Sequence, residues 1–248
     1  AIEVLSAVGV IVGDNGNFRP DDSVSRNEMA VIMAKLILGT YEADSYVGNH
    51  PFTDVPEWAN KYVAACYNSG IIAGRTETTY DGSATVTAVE AAAMMLRALG
   101  YEDLSKGAAQ WDQPVAAKAN EINLFVDLNG AGNAPMNRDS VAQLALNTLQ
   151  ATMVTTVRSG QDITLPDGTV ISATRSYELR TTNYGWKDAI DDEGNNTNGG
   201  YLQLGEYLYR GDLKRETDEA DDFGRPATKW LYNSSEVIAA VEEADATY

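Results

Sequence analysis

Three stretches of this sequence can be laid over one another, and that self-similarity constrains the fold more than any other property of the chain. The first reads AIEVLSAVGVIVG and continues DNGNFRPDDSVSRNEMAVIMAKLILG. The second reads WANKYVAACYNSGIIAG and continues RTETTYDGSATVTAVEAAAMMLRALGY. The third reads AAKANEINLFVD and continues LNGAGNAPMNRDSVAQLALNTL. Each is an amphipathic helix, a helix-ending residue, a short apolar strap, a polar loop and a second helix. Gly9, Gly70 and Asn123 share the stop position, where a left-handed residue after a helix favours Gly and then Asn. The straps at 10–12, 71–73 and 124–126 are too short to be helices. Ser25, Thr87 and Asn137 end the loops as N-caps. Glu28 and Glu90, three residues further on, predict capping boxes in the first two copies, whereas Ser140 predicts a weaker cap in the third. Behind each cap the apolar residues recur at helical spacing, as in Met29, Ile32, Met33 and Leu36, or Val141, Leu144, Ala145 and Leu149. A lone helical hairpin cannot cover its own apolar face, so three such units are expected to share one core. Residues 1–154 are therefore expected to be mainly α, as a three-lobed helical body.

The balance of the sequence narrows the function classes. Its 36 acidic and 18 basic residues give a formal net charge of −18, divided evenly about residue 154. Such a field repels nucleic acid and anionic membranes, so neither is an expected partner. An anionic ligand would have to be held by a few placed arginines. No apolar run reaches the ~18–20 residues that a spanning helix needs, so membrane insertion is not expected. Cys66 is alone, which rules out an internal disulfide, and its place in a helical pattern fits a buried, inert thiol. His50 is also alone, so a zinc site or a Ser–His triad would have to be built around one loop histidine. No metal and no cofactor is expected.

The stretch FRPDDSVSRNEMA resembles the signature of the S-layer homology (SLH) domain, whose hallmark is a Thr-Arg-Ala-Glu-like tetrapeptide, here Ser25-Arg26-Asn27-Glu28. The segment FTDVPEWANKYV from Phe52 is similar to the start of an SLH repeat. On that resemblance, 1–48 is a first repeat lacking its opening piece, 49–104 a second and 105–154 a divergent third. It implies non-covalent attachment to the bacterial cell wall, with grooves between lobes holding an anionic, pyruvylated secondary cell-wall polysaccharide. Arg26 falls in a helix first turn, where free N–H groups and the helix dipole favour an anion, and a guanidinium can grip a carboxylate with two hydrogen bonds. A residue just after the cap is expected to point outward. Glu28 belongs to the same tetrapeptide, although a capping box explains it without a ligand. Trp58 and Trp111 are candidate sugar-stacking platforms, although Trp58, at the start of an apolar helix, fits the core better. Asp54 is a candidate acceptor for sugar hydroxyls. The second copy reads Thr87-Ala88-Val89-Glu90 and the third Asn137-Arg138-Asp139-Ser140. At most two competent grooves are thus expected, around Arg26 and Arg138, with a silent one at Ala88.

Beyond about residue 154 the period changes. Residues 162–165 and 169–173 flank Pro166-Asp167-Gly168 and predict a β-hairpin. Residues 188–200 read as a solvated loop whose Asp/Asn spacing does not fit an EF-hand. Residues 201–215 suggest a short helix, 227–232 and 237–241 suggest strands, and 236–243 fits a helix as well. The run DDFGRPATKWLYN resembles a segment that follows SLH units in large surface proteins of anaerobic Firmicutes. Residues 155–248 are expected to form a small α+β or β-rich connecting module.

The leading expectation is an extracellular, non-enzymatic wall anchor of a surface or S-layer protein, with cell-wall polysaccharide as partner and other S-layer subunits as further candidates. The alternatives are an adhesin or assembly module working through 155–248, or part of a polysaccharide hydrolase. Glycoside hydrolysis needs two carboxylates across a cleft. The acidic pairs Asp221/Asp222 and Asp191/Asp192 are loop neighbours, and no catalytic residue is assigned.

Overall fold

A computed structural model of the chain describes residues 1–13, 17–38, 43–46, 48–102, 104, 108–128, 132–171, 173–181 and 200–241. Among the described residues six α-helices come first: α1 (Ile2–Ala7), α2 (Arg26–Leu38), α3 (Glu57–Asn68), α4 (Ala88–Ala98), α5 (Asp112–Glu121) and α6 (Arg138–Gln150). They form three pairs. The first helix of each pair packs on the second helix of the pair before it, α3 on α2 and α5 on α4, and α1 on α6 closes the circle.

The three helix stops are built alike. Gly9, Gly70 and Asn123 all have positive φ, at 76°, 70° and 59°. In each copy the next N–H reaches back to a carbonyl five residues earlier: Val10 to Leu5, Ile71 to Cys66 and Leu124 to Ala119, at 2.8–2.9 Å. That bond turns the apolar strap under the helix, where Val10, Ile11, Ile71, Ile72 and Leu124 are buried. The starts are also alike. Ser25 and Glu28 exchange hydrogen bonds as a capping box, and so do Thr87 and Glu90. Asn137 accepts from the Ser140 N–H at 2.9 Å, which is one half of the motif, as Ser140 in place of Glu predicts.

The residue before each cap ties the copies together. The Val24 N–H donates to the Met136 carbonyl at 3.0 Å, Met136 to Val86 at 3.0 Å, and Val86 back to Val24 at 2.9 Å. All three residues are buried. Just outside this ring, the first free N–H groups of each second helix donate to the loop of the next copy. Arg26 and Asn27 reach the carbonyls of Ala84 and Gly82, Val89 reaches Gly132, and Arg138 and Asp139 reach Asp22 and Pro20.

The rest of the described chain is α+β. Strand β1 (Val154–Ser159) pairs antiparallel with β4 (Thr174–Leu179), enclosing the short hairpin of β2 (Ile163–Thr164) and β3 (Val170–Ile171). Helix α7 (Leu204–Tyr209) precedes a meander of β5 (Leu213–Ala220), β6 (Pro226–Tyr232) and β7 (Ser235–Val241). The expected hairpin is present, but it is the tip of a longer one. The helix expected over 201–215 is cut to six residues because Arg210 turns left-handed (φ 42°) and the chain enters β5. Residues 236–241 are strand, paired to β6. Of the loop expected over 188–200, residues 188–199 lie outside the described residues. Leu204, Tyr209, Leu213 and Trp230 share one continuous hydrophobic core with the helical pairs, so this part is packed against them.

The helix stops generate a test. A Cβ on Gly70 would meet nothing within 4 Å, so Gly70→Ala is penalised by backbone conformation alone. It is expected to lower unfolding free energy by about 1 kcal/mol in urea titrations, with a smaller loss for Gly70→Asn, the residue used at 123.

Candidate polysaccharide-binding grooves

Two grooves between adjacent copies are related position by position. The larger, of about 380 Å³, is lined by the strap of the first copy, by Glu28, Val31, Ile32 and Lys35 of α2, by Trp58 and Tyr62 of α3, and by Arg138 of α6. The smaller, of about 160 Å³, is lined by the strap of the second copy, by Glu90, Ala93, Met94 and Arg97 of α4, by Trp111 before α5, and by Arg26 of α2. In each, one copy supplies the floor, the next a tryptophan and the previous one an arginine. The structure thus gathers Glu28, Trp58 and Arg138 at one groove, and Arg26 and Trp111 at the other. Trp58 is 55% exposed and Trp111 43%, so both rings are open to solvent, and the core alternative for Trp58 falls away.

The arginines do more than face the grooves. Arg26 donates from Nε to the Tyr80 carbonyl and from Nη2 to the Ala73 carbonyl, both at 3.1 Å, with its guanidinium 4.8 Å from the Tyr80 ring centre. Arg138 does the same in the neighbouring copy, Nε to Phe18 O at 2.7 Å and Nη2 to Val12 O at 3.3 Å, 5.0 Å from the Phe18 ring centre. Each side chain therefore staples its helix to the strap and loop of the next copy. The expectation that Arg26 points outward is corrected: it is 5% exposed, and its Nη1 lies 3.4 Å from Glu90. The expectation of free N–H groups at its helix terminus is corrected as well, because the next loop and the cap already occupy them. Arg138 is half-buried, and no carboxylate pairs with it among the described residues. Its Nη1 thus keeps donor capacity at the larger groove.

Asp54 lines neither groove. Its two carboxylate oxygens each accept a backbone N–H, from Tyr80 and Asp81, both at 2.8 Å, which clamps the Phe52 segment to the second loop. The Tyr80 N–H above all holds its carboxyl below the usual carboxylate range, with burial opposing. Cys66 is fully buried with its Sγ 3.4 Å from the Ala30 carbonyl, and burial pushes the thiol well up, as an inert core cysteine requires. His50 stacks on Phe52 at 5.4 Å and accepts its N–H through Nδ1; desolvation lowers its pKa, with Asp54 pulling the other way. Among the described residues no group of three or more His, Cys, Asp or Glu is arranged to hold a metal.

Residues 35, 97 and 147 were missed from the sequence. They are one position in the three copies, read as Lys, Arg and Asn. Arg97 Nη1 holds the Ile71 carbonyl at 2.9 Å, and Asn147 holds those of Leu124 and Val126 at 3.0 and 2.8 Å. The signal was present in the aligned copies. At the third interface Ala88 is buried and Asn147 replaces the cation, so no arginine or lysine stands at either position there.

The model of the S-layer homology domain matches residues 1–30 and 51–92, so those two stretches are similar to SLH units. The third helical pair lies outside that match but makes the same bonds. The chain is 27% identical to the "Middle cell wall protein" of Brevibacillus brevis (strain 47 / JCM 6285 / NBRC 100599) over 165 residues, 65% of this chain and 15% of that protein. It is 27% identical to the "Cell surface protein" of Thermoanaerobacter kivui over 221 residues, 84% of this chain and 28% of that protein. It is also 33% identical to an "Amylopullulanase" of Thermoanaerobacterium thermosulfurigenes over 99 residues, 38% of this chain and 5% of that protein. The chain thus spans less than a third of the length of each of these relatives. The SLH match and the surface-protein relatives indicate a location at the bacterial cell surface or wall. No described helix is long and apolar enough to cross a membrane.

Two outcomes follow. Arg26→Ala removes a buried cation with several partners and is expected to cost roughly 3 kcal/mol in chemical denaturation, more than Arg138→Ala, whose site is wetter. For Asp54 the folded pKa is depressed, so its contribution is present above the unfolded value and is lost as pH falls through the folded one. Asp54→Asn should therefore lower stability near neutrality and flatten the acid limb of a stability–pH curve below about pH 4.

Proposed function

We propose that this chain is a wall-binding anchor of a bacterial surface or S-layer protein, holding an anionic, pyruvylated secondary cell-wall polysaccharide between its repeats. In this reading residues 1–48, 49–104 and 105–154 are three SLH repeats of a three-lobed body, and 155–248 is a module packed beside it. The observation that carries the proposal is the larger groove: Arg138 and Lys35 flank an open Trp58 ring on an apolar floor. Its size falls within the ~300–1,000 Å³ typical of ligand sites, whereas the Arg26 groove is smaller. A sugar face stacks on the indole while its carboxylate meets Nη1 of Arg138, which bonds no described residue, and Lys35 offsets the Glu28 charge. Weak single sites along a repeating polymer gain strength through avidity. Against the net charge of −18, these local cations set where a polyanion docks.

The ranking of grooves is the testable part. Trp58→Ala and Arg138→Lys are each expected to weaken binding of purified wall polysaccharide about tenfold or more in calorimetric titration, and Trp111→Ala less. Unchanged affinity in the Trp58→Ala, Arg138→Lys double variant, with its fold intact by circular dichroism, would sink the assignment. The similarity to an amylopullulanase supports a second reading, a fragment of a polysaccharide-degrading enzyme. Release of reducing sugar from the wall polymer by this chain would favour that reading.

A further inference from the structure

A third cavity, of about 480 Å³, adjoins the Arg26 groove and shares Ile72, Ala73 and Arg97 with it. Its far wall comes from the β1–β4 hairpin, outside the helical pairs, through Arg158 and Arg175. The hairpin is fixed to the end of α4. The Val154 N–H donates to the Leu99 carbonyl at 2.8 Å, and the Thr156 hydroxyl donates to the Gly100 carbonyl at 2.9 Å. The approach is close enough that a Cβ on Gly100 would lie 2.2 Å from the Val154 carbonyl oxygen. Glu102 then orients both hairpin arginines through their Nε atoms, Arg158 at 2.8 Å and Arg175 at 2.9 Å. One carboxylate thus serves two guanidinium groups. Arg175 has a further acid, Asp162, at 3.5 Å, and Arg158 remains 54% exposed.

We propose that this cavity is a second anion subsite for the same glycan, supplied by the module that follows the repeats and continuous with the Arg26 groove across Arg97. It rests on the wall-anchor reading above. Three arginines face one carboxylate among the cavity's lining residues, in a chain whose net charge is strongly negative. Among the described residues Arg158 bonds Glu102 through Nε alone, so both of its terminal nitrogens have donors for a ligand carboxylate or phosphate. The Arg26 groove by itself lies below the ~300–1,000 Å³ typical of ligand sites, and the adjoining volume gives an extended chain somewhere to continue. The occupant is therefore an anionic oligosaccharide long enough to carry charged groups into both volumes.

The test compares Arg158→Gln with the wild-type chain in titrations with wall polysaccharide hydrolysed and sized into disaccharide and longer fragments. Arg225→Gln, on the β5–β6 turn, controls for bulk charge. Arg158→Gln should leave disaccharide affinity unchanged and lower long-fragment affinity about threefold to tenfold, with Arg225→Gln matching wild type. Equal long-fragment affinity in Arg158→Gln and wild type overturns the subsite while leaving the anchor standing. An equal loss in Arg158→Gln and Arg225→Gln also overturns it, as a bulk-charge effect. Failure of the wild-type chain to bind either fragment overturns the anchor reading and this proposal together.

Discussion

The three hydrogen bonds joining Val24, Met136 and Val86 in a ring are the constraint on which the helical body depends. Each residue gives its N–H to one copy and its carbonyl to the other, and all are buried away from water. A buried backbone group left unpaired costs on the order of 1–3 kcal/mol, so removing one copy would orphan groups in both of the others. The helix starts repeat this dependence, since their first N–H groups are satisfied by the next copy's loop. Closure of α1 onto α6 completes the circle. No copy is a finished unit, and the interfaces between copies are fixed in geometry before any ligand arrives.

That rigidity explains why the grooves lie where they do. An arginine in the first turn of a second helix reaches across the interface and is held by two carbonyls and an aromatic face of the next copy. At Arg26 nearly all of the guanidinium is spent on this task, with Glu90 taking the remaining edge. Glu90 is in turn shared with Arg75 at 2.7 Å. At Arg138 the two equivalent carbonyls are used, but Glu28 is committed to its cap through Oε2, and no described residue takes the Nη1 edge. One side-chain geometry therefore serves as a structural staple in one copy and as a staple with spare binding capacity in another.

Much of this was legible in the sequence because it is written three times. The left-handed stops at 9, 70 and 123, the caps at 25, 87 and 137 and the buried straps each depend on local residue type, and aligned copies expose them. The direction of Arg26 was not legible. A position just after a cap points outward on an isolated helix, and only the neighbouring loop, brought in by the ring, turns that outside into an interface. Asp54 failed for the same reason: its partners, the N–H groups of Tyr80 and Asp81, are more than twenty residues away. The β1–β4 pairing was hidden because its strands flank the short hairpin that carries the turn signal, and Tyr177 faces Tyr101 across the join with α4.

The third interface shows how fold and ligand chemistry separate. Ala88 lacks the staple, Ser140 lacks the carboxylate, and Asn147 stands where the other copies have Lys35 and Arg97. Yet the ring bond from Met136 to Val86, the Val89 to Gly132 bond and the packing of α1 on α6 are all in place. The backbone bonds that shape the body do not require the charged side chains, so those side chains can be lost from one copy without loss of the fold. At Arg138 the packing staple to Phe18 and Val12 is kept. Its charge is answered by no carboxylate among the described residues, and the proposed polysaccharide site rests on that opening.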